Sequence, residues 1–68
     1  MKITLKACRV NVNASVKEEA RFVGVSEDTV YKWEGGKSAP RLGHAQKLVE
    51  FFNSKGFDVL LDNINFLP

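Results

Sequence analysis

Between Glu27 and Lys32 the chain reads Glu-Asp-Thr-Val-Tyr-Lys, and every side chain in that run except Val30 can donate or accept a hydrogen bond. At a helical repeat Thr29 and Lys32 stand one turn apart on a shared face, with Glu27, Asp28 and Tyr31 beside them. Such a face offers an ammonium, a hydroxyl, a phenol and two carboxylates. Its chemistry is reversible polar recognition. A second polar set, Lys37, Ser38 and Arg41, follows within a few residues, and Lys17 precedes it. These side chains suit anionic oxygen acceptors.

The residues that could do covalent or metal chemistry are sparse. Cys8 is the single cysteine, with no histidine beside it in sequence to take its proton, and it reads as a buried structural thiol. His44 is the single histidine and has no second His or Cys at ligand spacing, so it reads as a surface residue and no metal site is expected. Ser, His and Asp all occur, yet a chain this short has no room to wall a catalytic pocket around them. The expectation is a non-enzyme without cofactor or small-molecule substrate.

Sixty-eight residues support one domain spanning 1–68, because a chain of this size buries only about 60% of its unfolded surface and cannot divide that core. Hydrophobic residues make up 44% of the chain, enough to fold. One cysteine excludes a disulfide framework and points to a reducing compartment, the cytoplasm. No apolar run approaches the roughly 20 residues that span a bilayer, so no membrane partner is expected. The net charge of +2 permits nucleic-acid binding without requiring it. Residues 15–40 carry slightly more acidic than basic side chains, so any basic surface must be assembled by the fold.

The elements that must position these groups are short helices, since Pro and Gly are few and apolar residues recur at steps of three and four. The first runs from about Thr4 to Val12, with Leu5, Cys8 and Val12 inward. Ser15-Val16-Lys17-Glu18 has the S-x-x-E form of a capping box and starts a second helix over about 16–23, which Gly24 ends. Ser26 caps a third over about 27–34, where Glu27 and Asp28 meet the positive end of the helix dipole. Pro40 keeps the next segment extended. A fourth helix from about Arg41 to Lys55 places Leu42, Ala45, Leu48, Val49 and Phe52 on its apolar side. A fifth, short helix is expected from about Leu61 to Asn65. The fold class is therefore all-α.

Helices two and three with their Gly-Val-Ser turn form a two-helix corner. Ala20 is small where the helices cross, Gly24 turns sharply, and Val25, Val30 and Trp33 fill the angle. From Ser15 to Pro40 the run SVKEEARFVGVSEDTVYKWEGGKSAP resembles the helix-turn-helix core of the Cro and repressor proteins of temperate phages and related bacterial regulators. Helix one with Arg9, and the ending Val59 to Phe66, extend the resemblance to nearly the whole chain.

That resemblance implies a compact five-helix, lambda-repressor-like domain that binds double-stranded DNA. Its third helix would enter the major groove, usually as half of a homodimer on a palindromic operator. The implied function is a sequence-specific transcriptional regulator, phage or prophage encoded, acting in the bacterial cytoplasm at the nucleoid. Lys32 would then donate to guanine O6 and N7, Thr29 would touch a thymine methyl or a phosphate, Glu27 or Asp28 would accept from cytosine N4, and Tyr31 would flank them. Lys37, Ser38, Arg41 and Lys17 would hold phosphates. Arg9 and Glu34 occupy places where such domains often carry an interhelical salt bridge. The chain departs from the family pattern at Val16, where most relatives carry Gln, and at Gly35, where many carry Asn. With the acidic start of helix three, these departures support an alternative: an antirepressor or modulator that works in a heteromeric complex with a partner repressor.

Phe51, Phe57, Phe66 and Leu67 are the candidate surface for such a partner. Adjacent Phe51 and Phe52 diverge by about 100° on a helix, so one of them is expected at the surface.

Overall fold

Ser15 and Ser26 each leave helical geometry on their N-terminal side and turn a hydroxyl onto the first free amides of the helix that follows. Ser15 Oγ accepts from the amide of Glu18 at 3.0 Å, and Ser26 Oγ from that of Thr29 at 3.2 Å. These caps start α2 (Val16–Val23) and α3 (Glu27–Glu34). Thr4 caps α1 (Leu5–Asn11) in the same way through the amide of Ala7. The long helix, α4 (Leu42–Ser54), has no side-chain cap at Arg41. The computed structural model describes residues 2–66.

Only half of the expected capping box at Ser15 forms in the usual manner. The Glu18 carboxylate pairs with the ammonium of Lys55 just beyond α4, tying the start of α2 to the end of α4. Lys55 is 37 residues away in sequence, which no local pattern reveals.

The fifth helix departs from expectation. Leu61–Asn63 forms a single 3-10 turn, held by the Asn63 side chain accepting from the Leu60 amide at 3.0 Å. Ile64 then turns extended, and β2 (Ile64–Asn65) pairs in parallel with β1 (Ile3–Thr4), Ile3 opposite Ile64 and Thr4 opposite Asn65. The competing interaction is visible. Ile64 is buried beside the first residues of the chain, and a β-branched residue gains more from that extended register than from one further helical turn. Among the described residues, four α-helices, one 3-10 turn and a two-residue bridge stand in place of the five-helix, wholly α reading.

The core gathers Leu5 and Cys8 from α1, Val16, Ala20 and Val23 from α2, Val30 and Trp33 from α3, and Leu48, Phe51 and Phe52 from α4. Val59 and Ile64 close it from the tail. Asn53 fixes that tail by donating to the Phe57 and Val59 carbonyls at 2.8 and 3.1 Å. Both Phe51 and Phe52 are buried, at 2% and 0% exposure, contrary to the expectation that one reaches solvent. Helix α4 packs against α2 on one side and the 3-10 turn on another, so its apolar face is wide enough for both rings. Leu42 was expected inward but lies 63% exposed in the first turn of α4, outside the core. Among the described residues, no helix is long and apolar enough to cross a membrane.

Candidate nucleic-acid interface

The corner between α2 and α3 is set by backbone geometry at Gly24. With φ 88° and ψ 33° it adopts the left-handed conformation, which lets the amides of Gly24 and Val25 both bond the Ala20 carbonyl at 2.8 and 3.0 Å. Ser26 then starts α3 at once. Val30 and Trp33 bury one side of α3, at 0% and 5% exposure. The opposite side is solvated: Glu27, Asp28, Tyr31 and Lys32 are all exposed, Tyr31 to 58%.

Two of these outward groups meet each other. Lys32 Nζ lies 3.2 Å from Asp28 Oδ2 one helical turn away, an exposed pair that holds little energy and exchanges readily for a ligand. Thr29 is half-buried, and its hydroxyl shares a 2.9 Å hydrogen bond with Ser26, so part of its polar capacity serves the cap.

Beyond α3 the chain folds back on the helix end. Gly36 takes φ 76°, and the Lys37 amide bonds the Lys32 carbonyl at 2.9 Å. That fold-back fixes the backbone on which Lys37 and Ser38 are displayed. Lys37, Ser38, Arg41 and, on α2, Lys17 are exposed. Among the described residues, their side chains make no hydrogen bond or ion pair. His44 is half-buried, its ring 5.5 Å from that of Trp33, and it serves the α3–α4 contact. Among the described residues no group of three or more His, Cys, Asp or Glu side chains could hold a metal ion.

Arg9 anchors this assembly from behind. Its Nε and Nη2 donate to the two oxygens of Glu34 at 2.7 and 3.1 Å, and Nη1 donates to the Ala14 carbonyl at 3.1 Å. The fork is bidentate, and the side chains are only 16% and 6% exposed. Hydrogen bonding to Glu34 raises the Arg9 pKa against the opposing effect of burial. The end of α3 is thereby bolted to α1 and to the loop before α2.

A helix-turn-helix family profile matches residues 5–60. The chain belongs to the helix-turn-helix family. This helix-turn-helix protein is also 34% identical over 61 residues to an uncharacterised HTH-type transcriptional regulator of Archaeoglobus fulgidus, an alignment covering 90% of this chain and 86% of the relative. No solved structure matches at a significant level.

Three features of the site escape sequence reasoning. Glu19 follows the capping-box glutamate and is fully buried at 0% exposure. Its position three residues after the inward Val16 and four before Val23 was the available signal. The second is Phe22, 43% exposed on α2, whose ring sits 5.2 Å from that of Phe51. The third is an open groove of about 350 Å³ lined by Glu18, Arg21, Phe22, Phe51, Ser54 and Lys55. Phe51 thus forms the floor of a groove without standing at the surface as the partner-surface reading required. Phe57 and Phe66 are half-buried against the core, and Leu67 lies outside the described residues.

Proposed function

We propose that this helix-turn-helix protein is a sequence-specific, duplex-DNA-binding transcriptional regulator of the Cro/repressor type, with α3 as its recognition helix. The observation that carries the reading is the division of α3 into a buried side, Val30 and Trp33, and a solvated polar side, Glu27, Asp28, Tyr31 and Lys32. A helix pinned on one side by the core and by Arg9–Glu34 presents its other side rigidly, which is what reading base edges in a major groove requires. Lys32 leaves Asp28 for guanine O6 and N7. Asp28 and Glu27 then face cytosine N4, and Tyr31 lies at the flank. Lys37, Ser38 and Arg41, with Lys17, hold the phosphates that fix register. The transcriptional-regulator relative in A. fulgidus supports the same class. As in other proteins that read palindromic operators, the working form is a homodimer or a complex with a partner repressor.

The reading is tested by adding a mixed-sequence duplex to the isotope-labelled protein and following its amide resonances. Changes at residues 27–32 and 37–41 are expected. Changes confined to the Phe22–Lys55 groove would contradict it.

A second reading rests on that groove. An antirepressor would use the exposed Phe22 ring and the rim of Arg21 and Lys55 against a partner repressor, leaving α3 unoccupied.

A further inference from the structure

Glu19 on α2 has no solvent-exposed surface, and no donor group reaches either of its carboxylate oxygens. A buried, ionised, unpaired carboxylate is among the costliest groups a small core can hold. The titratable groups coupled to it electrostatically sit on two other helices: Cys8 and Arg9 on α1, and Glu34 on α3, with Tyr31 acting on the same Arg9. Arg9 is committed elsewhere, with Nε and Nη2 on Glu34 and Nη1 on Ala14. Two ionised carboxylates facing one guanidinium leave an excess negative charge in the interior, and since both are acceptors they cannot bond each other. One added proton resolves the charge and the missing bond together.

We propose that Glu19 and Glu34 share a proton across the helix-turn-helix corner: Glu19, as the neutral acid, donates to Glu34 while Glu34 accepts from Arg9, and deprotonation of Glu19 unlatches α2 from α3. Burial, first, and then repulsion by Glu34 push the Glu19 carboxyl up to about 8, with Arg9 opposing and the hydrogen bond to Glu34 adding to the rise. The Cys8 thiol, pushed up to about 11 by burial and by the charge on Glu19, stays neutral through the same range. The latch therefore holds at neutral pH and opens in mildly alkaline solution, with the neutral arm of the cluster on α2 and the ionic arm on α1 and α3.

The test follows the side-chain carboxyl carbons of the full chain, labelled with carbon-13 glutamate, by NMR from pH 4 to 10. One resonance titrating near 8, absent in Glu19→Gln, is the expected result. Amides of Gly24 to Ser26 should follow the same midpoint. Every carboxyl titrating near its ordinary value would overturn the proposal. Glu34→Gln removes the like charge and the charged acceptor, and must lower the Glu19 midpoint; an unchanged midpoint would show that burial acts alone and would equally overturn the shared proton. The wild-type titration decides even where a variant fails to fold. Weakened duplex binding above the midpoint in the wild type, and not in Glu19→Gln, is a consequence that rests on the DNA reading; the carboxyl titration uses no DNA, so failure of either idea is separately visible.

Discussion

The Nε of Arg9 lies 2.7 Å from Oε2 of Glu34, a residue 25 positions later, and Nη2 completes the fork at 3.1 Å. This pair joins the first helix to the end of α3. Its partners are buried enough that removing one strands the other. Arg9→Ala should destabilise the fold by about 3–5 kcal/mol in urea unfolding, the usual effect of breaking a buried pair. Arg9→Met combined with Glu34→Leu should cost less than Arg9→Ala alone, since no charge is stranded. A loss below about 1 kcal/mol for Arg9→Ala would place the pair with ordinary surface ion pairs.

The ring centroids of Phe51 and Phe22 lie 5.2 Å apart, yet the exposures of the two residues are 2% and 43%. Phe51→Ala should therefore cost about 3–5 kcal/mol, as core aromatic truncations do. Phe22→Ala should cost clearly less, since half its ring is already in water. Equal losses in thermal or urea unfolding would contradict this division of the groove.

The pH dependence follows from Glu19. Its folded value near 8 lies above the ordinary 4.5, so between those limits the native state binds more protons than the unfolded chain. Stability then falls as pH rises through that window and levels off above it. Melting temperatures of the wild type should drop relative to Glu19→Gln between pH 5 and 9. Parallel curves would contradict the assignment.

Much of this architecture was legible because it is written locally. Ser15, Ser26 and Gly24 are residue types that start and stop helices through their own backbone neighbours, and each does so here. Ala20, Val30 and Trp33 declare their burial by size and spacing. What was not legible depends on distant partners. Glu18 bonds Lys55, Ile64 pairs with Ile3, and the second face of α4 is covered by a tail that only the fold brings back. Glu19 was overlooked because a glutamate in a first helical turn ordinarily answers the helix dipole; here the helix face it occupies points inward. The surface roles of Lys32, Lys37 and Arg41 rest on exposure together with the resemblance, since composition alone gives a nearly balanced charge.

Phosphate contacts and base contacts separate by their salt and sequence dependence. Lys37→Ala and Arg41→Ala should weaken binding by similar factors on all duplexes, and each should lower the slope of log affinity against log salt by about 1. Lys32→Ala should cost about 1–3 kcal/mol at one base position and little elsewhere. Fluorescence anisotropy at several salt concentrations checks both. A uniform loss for Lys32→Ala would move it to the phosphate group.

The most direct measurement is selection of bound duplexes from a random library at near-physiological salt, with wild type and Lys32→Ala in parallel. An enriched palindromic motif, blurred at one position in each half-site by the substitution, is the predicted result. Recovery without sequence preference, or a motif untouched by Lys32→Ala, would contradict α3 as the reader of bases.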